Sequence, residues 1–124
     1  MVYMYILVLV SGNGSNLKAL LDAQKQGSLG GGIIAAVVSD NAKAYALQRA
    51  HLEGIPALTE IPDMRLPLNQ RREELSDRIL KTAIAYDVKL IVLAGFLSIL
   101  RGKILCTYKN RIINIHPSLL PKYG

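Results

Sequence analysis

An apolar run from Val2 to Val10 stops abruptly at Ser11-Gly12-Asn13-Gly14-Ser15-Asn16, and a helical pattern begins directly behind it. A strand apolar at every position has no face suited to water, so both faces must be covered. The crossover helices of a parallel sheet supply that cover. The run is far shorter than the roughly 20 residues that cross a bilayer. No basic segment precedes it and no small-residue cleavage pattern follows, which argues against a signal peptide and a membrane role.

The alternation continues along the chain. Strands are expected over residues 3–10, 33–38, 57–61, 89–94 and 112–115, and helices over 16–26, 42–53 and 70–86, with a further helix or pair of turns reaching about residue 108. Leu17, Leu20 and Leu21 share one face of the first helix, which Gly27 ends; Gly54 and Pro56 close the second. In the third, Leu75, Ile79, Leu80 and Ala83 form an apolar stripe opposite a charged face. Residues 30–32, all glycine, read as a flexible turn, and 62–67 as a connecting loop. The order predicts an α/β fold: one domain over residues 1–124, with an open, mainly parallel Rossmann-like sheet and helices on both faces.

A chain of 124 residues buries about two-thirds of its unfolded surface, so its folding requires neither disulfides nor metals. Its one cysteine, Cys106, has no internal partner; it is expected to be free and buried, in a reducing compartment, with the cytoplasm as default. The net charge of +6 arises entirely after Asp87, the last acidic residue. Lys89, Arg101, Lys103, Lys109, Arg111 and Lys122 are scattered among apolar residues with no run of three. That pattern suits a small anionic ligand, or an acidic segment outside this sequence, better than nucleic acid.

Ligands of such sheets sit beyond the carboxyl ends of the strands, which directs attention to the loops after the first, fourth and fifth strands. In the first, Gly14 lets the backbone approach an anion, and Ser15 and Asn16 can cap the helix and leave N–H groups facing a phosphate. Gly, Ser and Asn also suit any strand-to-helix turn. The loop is not a dinucleotide fingerprint, because Leu17 stands at the third glycine position, and no Walker lysine follows. Asp40, after the second strand, leaves a nicotinamide cofactor only remotely open. After the fifth strand, Asn114 and His116 stand two apart, so at strand spacing both project to one side. An amide to hold an oxyanion beside an imidazole to move a proton is what acyl or formyl transfer needs. A histidine merely packed against a proline-bounded turn explains His116 equally well. His51, inside a predicted helix, reads as a surface or boundary residue.

Ser11-Gly12-Asn13-Gly14-Ser15-Asn16, Leu93-Ala94-Gly95-Phe96 and Asn114-Ile115-His116-Pro117-Ser118-Leu119-Leu120-Pro121 occur together and in this order. The chain thereby resembles the phosphoribosylglycinamide formyltransferases, over the N-terminal two-thirds of such an enzyme. The resemblance implies a C-terminally truncated formyltransferase fold and transfer of a formyl group from 10-formyltetrahydrofolate, as co-substrate, to the amine of glycinamide ribonucleotide in purine biosynthesis, without a metal. It implies that Gly14, Ser15 and Asn16 hold the substrate phosphate and that His116 and Asn114 are catalytic. It also implies that Arg72, Leu97, Ser98, Ile99, Leu100 and Asn114 line the folate pocket, with Arg71 as the alternative to Arg72.

The departures from that family are informative too. No carboxylate follows His116 to pair with it, Ser98 stands where many relatives have arginine, and the glycines at 30–32 look like an insertion. Besides the enzyme, a catalytically impaired nucleotide-binding module and a homodimer covering exposed strand edges remain open.

Overall fold

The computed structural model describes residues 3–115. Five strands, β1 (Met4–Val10), β2 (Gly32–Ser39), β3 (Ala57–Thr59), β4 (Leu90–Ala94) and β5 (Ile112–Ile115), form one sheet in the order β3-β2-β1-β4-β5. Every pair is parallel. The helices are α1 (Ser15–Lys25), α2 (Tyr45–Leu52), α3 (Leu68–Ala85) and the short α4 (Lys103–Thr107). The chain winds outward from β1 to β2 and β3, then returns to the other side of β1 for β4 and β5. The turning point therefore lies between β1 and β4, where open α/β sheets bind ligands.

Apolar continuity of the central strand is matched by cover on both faces. Ile6, Val8 and Val10 of β1 pack with Leu17 and Leu21 of α1 and Ala46 and Ala50 of α2. Leu7 and Leu9 point the other way, into Leu75, Ile79 and Ala83 of α3 and Ile104 of α4. Among the described residues the cover is incomplete near β5. There Met4, Ile6, Leu20, Leu90, Ile113 and Ile115 help line an apolar hollow of about 480 Å³, and Ile113 is 48 % exposed.

Helix ends follow local chemistry. At the end of α1, Gly27 takes φ +75°, its N–H donates to the Gln24 carbonyl, and the Ser28 N–H donates to Ala23. This is the paired closure that a left-handed glycine permits. The second helix starts at Tyr45, three residues later than expected. The Asn41 carboxamide oxygen accepts the Lys43 N–H at 3.0 Å, and the Asn41 carbonyl accepts the Ala44 N–H, so a side-chain turn displaces the first helical turn.

Two expectations are adjusted. Gly30 and Gly31 do lie in a turn, but it is tied to the sheet: the Gly31 carbonyl accepts the Met4 N–H at 2.8 Å, and Gly32 belongs to β2, opposite Met4. A β-carbon on Gly32 would sit 2.9 Å from Ile6 Cδ1. Cys106 is exposed rather than buried. In the short helix α4 the inward position goes to Ile104, and two residues later the helix has turned to the far side.

Two buried polar contacts fasten α3 and α4. Burial raises the pKa of the Tyr108 phenol, whose hydroxyl donates to the Val88 carbonyl at 2.8 Å. The Ser76 hydroxyl, wholly buried, donates to the Arg72 carbonyl at 2.6 Å and accepts the Arg101 N–H at 2.9 Å. Ser76→Ala removes that acceptor and leaves a backbone donor unpaired, a loss of about 1–3 kcal/mol. A lowered urea midpoint with an unchanged slope is the expected reading.

Candidate functional site

The loop leaving β1 is shaped by its neighbours rather than by its own hydroxyls. Gly14 takes φ +80° and packs against α2 so closely that an added β-carbon would meet Ala46 Cβ at 2.6 Å and Cα at 2.8 Å. The Ala46 N–H donates to the Gly12 carbonyl at 3.1 Å, and Arg49 Nε donates to the Asn13 carbonyl at 2.7 Å while its guanidinium lies over the Tyr45 ring. At the start of α1 the Ser15 N–H donates to Asn13 Oδ1 at 2.9 Å. Ser15 and Asn16 were expected to cap this helix. Both are instead its first helical residues, and Asn13 makes the side-chain contact.

Gly12, Asn13, Gly14, Ser15 and Asn16 form a cleft of about 210 Å³ with Ala94 and Gly95 from the end of β4. Asn16 is buried at this cleft. The start of α1 at this cleft presents unsatisfied N–H groups, an arrangement that favours an anion.

A second hollow, of about 250 Å³, lies on the other side of the loop after β4. It is lined by Pro62, Met64, Leu68, Leu75, Arg71 and Arg72 on one wall and by Leu97, Ser98 and Ile99 on the other. Arg71 holds the 62–67 loop, its Nη2 donating to the Leu66 carbonyl at 3.1 Å, and its buried Nε has no partner among the described residues. The Arg72 guanidinium makes no hydrogen bond or ion pair among them. In the same loop, hydrogen bonds from the Arg65 guanidinium and backbone hold the Asp63 carboxyl down at about 2. Leu100 stands apart, packed against the α3-side core.

Segment 94–99 thus walls both hollows, with Ala94 and Gly95 facing one and Leu97, Ser98 and Ile99 the other. Asn114 lies alongside, opposite Leu93 in the β4–β5 register, exposed at the carboxyl end of the sheet. It lines neither hollow. His116 lies outside the described residues. The arrangement offers an anion site and a mixed apolar and cationic pocket on either side of one loop, with an amide at the adjoining strand end.

The sequence pattern of the family described as formyl transferase matches residues 4–124. The chain belongs to that family.

This formyltransferase chain is 42 % identical to the phosphoribosylglycinamide formyltransferase of Escherichia coli (strain K12), over 97 % of its own length and 54 % of that protein. It therefore spans about half of that relative, less than the two-thirds expected. The glycinamide ribonucleotide transformylase 1 of Symbiobacterium toebii superposes with a TM-score of 0.82 at 40 % identity, covering 98 % of this chain and 55 % of that one. The phosphoribosylglycinamide formyltransferase of Coxiella burnetii gives 0.80 at 43 % identity, with 98 % and 55 % covered.

Two residues of this candidate site carried no sequence signal for their roles. Arg49 sits in a helix 36 residues beyond the carbonyl it holds. Asp40, which in the sequence only leaves a nicotinamide cofactor remotely open, instead takes the hydroxyls of Ser11 and Ser98. A contact between positions 58 residues apart is set by strand order, which local pattern does not encode. Among the described residues no group of three or more His, Cys, Asp or Glu could hold a metal ion, and no helix is long and apolar enough to cross a membrane.

Proposed function

We propose that this chain supplies the phosphate-binding and formyl-transfer half of a phosphoribosylglycinamide formyltransferase acting in the cytoplasm. The observation that carries the reading is the shared wall: one loop, 94–99, separates an anion cleft from a pocket holding Arg72. A phosphorylated amine and a formyl donor bound on its two sides would meet at the strand ends. The phosphate of glycinamide ribonucleotide would sit on Gly14, Ser15 and Asn16. The folate would occupy the hollow between Arg72 and Leu97, Ser98 and Ile99, with Arg72 favoured over Arg71 because the latter is committed to the 62–67 loop.

In the reaction, the substrate amine attacks the carbon of the N10-formyl group, and the carbonyl oxygen becomes an oxyanion that the Asn114 amide can hold. His116 transfers the proton lost by the amine towards N10, the C–N10 bond breaks, and formylated ribonucleotide and tetrahydrofolate leave. A second reading, a nucleotide-binding module without turnover, is favoured by the cleft itself, which among the described residues is formed by 12–16, 94 and 95 without Asn114.

Formyl transfer from 10-formyltetrahydrofolate to glycinamide ribonucleotide, assayed beside calorimetric titration with ribose 5-phosphate, separates the two. Turnover establishes the enzyme, whereas phosphate binding with no turnover establishes the module. A chain that does neither sinks both readings. Sedimentation of the same preparation reports whether a homodimer forms.

A further inference from the structure

We propose that Asp40 is a positioning residue that fixes the 96–100 loop against the phosphate loop. Both carboxylate oxygens are engaged. Asp40 Oδ1 accepts the Ser11 hydroxyl at 2.6 Å and Oδ2 accepts the Ser98 hydroxyl at 2.5 Å. Ser11 Oγ, while donating to Asp40, accepts the Leu97 N–H at 2.8 Å. Among the described residues, every hydrogen bond that reaches 96–100 passes through Ser11 or Asp40. The next fastening is the Arg101 N–H on Ser76.

Phe96 and Leu100 anchor the ends of the loop on the core, but its tip has little else to hold it. It has no regular structure, and Leu97 is 84 % exposed, so apolar packing at its tip is weak. Hydroxyl-to-carboxylate bonds are short and about twice as strong as neutral ones, and here two of them converge on one side chain. Asp40 is well placed for this work. It follows β2, which flanks β1, and so reaches across the end of β1 to the loop after β4. The Ser98 hydroxyl is spent on Asp40, which leaves the backbone of 97–99 and the flanking aliphatic side chains to face the second hollow.

The phosphate loop has ties that do not involve Asp40. Asn41 Nδ2 donates to the Ser11 carbonyl at 3.2 Å, and Ala46 and Arg49 hold Gly12 and Asn13. Removing the Asp40 carboxylate should therefore loosen 96–100 far more than 12–16. That a folate is what rests on this loop depends on the formyl-transfer reading; the clasp itself does not.

The test is amide hydrogen exchange, resolved at Leu97 by NMR, for the full 124-residue chain and for Asp40→Ala and Ser98→Ala. Exchange at Leu97 is expected to accelerate about tenfold in Asp40→Ala and less in Ser98→Ala, which keeps the Ser11 bond, while core amides of β1 exchange as before. Unchanged exchange at Leu97 in both variants overturns the proposal. Should Asp40→Ala fail to fold, the exposed-loop variant Ser98→Ala alone decides, unchanged exchange being again fatal. A titration with 5-formyltetrahydrofolate then reads the consequence: Asp40→Ala should bind it about tenfold more weakly while ribose 5-phosphate affinity holds within about twofold. Equal folate affinity in Asp40→Ala and the parent overturns the positioning role. A parent chain that does not bind the folate at all counts against the proposed function, and the exchange result still decides the clasp.

Discussion

Gly14→Ala is expected to destabilise the chain by about 2–5 kcal/mol and to abolish phosphate binding. Two costs combine. A left-handed conformation, here φ +80°, costs a non-glycine residue about 1–2 kcal/mol. The added methyl would also meet Ala46 Cβ at 2.6 Å and Cα at 2.8 Å, closer than carbon atoms pack, and overfilling of this kind typically costs about 1–3 kcal/mol. Ala46 cannot yield easily, because it is wholly buried and its N–H holds the Gly12 carbonyl. Relief must come from displacing the 11–16 loop or tilting α2, and either opens the cleft. Gly12→Ala is the control. Its β-carbon would meet nothing within 4 Å and its φ is not positive, so stability should change little. Denaturant titration of both variants, followed by calorimetry with ribose 5-phosphate, checks the pair. Equal stability of the two variants would falsify the account of close packing against α2.

The contrast between these glycines shows what the sequence can and cannot carry. Strand-length apolar runs with interposed helical stripes reveal the parallel sheet, because burial on both faces leaves a mark at every position. The stripe of Leu75, Ile79, Leu80 and Ala83 is buried as its spacing requires, and β5 has the bounds expected of it. The loop Ser11-Gly12-Asn13-Gly14-Ser15-Asn16 is legible as a candidate anion site, but not which glycine the fold depends on. That distinction comes from Ala46, some thirty positions away and brought there by α2 packing. Asp40 is the stronger case. Nothing in Ser39-Asp40-Asn41 announces a partner at Ser98, and only the reversal of strand order at β1 makes them neighbours. The start of α1 was hidden for a local reason: a left-handed Gly14 takes the cap position, Ser15 becomes the first helical residue, and its N–H turns back to the Asn13 side chain.

In the polypeptide that carries the transfer activity, His116→Ala is expected to lower the rate about 10²–10⁴-fold, the range for loss of a positioned general acid–base group. Asn114→Ala should cost about 10²–10³-fold, as for loss of one oxyanion donor. Neither change should weaken ribose 5-phosphate binding greatly, since Asn114 lines neither hollow and the cleft is built from residues 12–16, 94 and 95. The two losses should not add. Both groups act on one tetrahedral intermediate, so once proton transfer is slowed by His116→Ala, stabilising the oxyanion matters less and the double variant should fall short of the product of the singles. The pH profile distinguishes chemistry from folding. An imidazole accepting the amine proton gives a rate that rises as pH passes its pKa, ordinarily near 6.5, and this limb should vanish in His116→Ala and persist in Asn114→Ala. A limb that survives in His116→Ala would assign the proton to another group. Asn114 would then keep its role only if its own variant still lost two orders of magnitude, because an oxyanion must be held whichever base removes the proton.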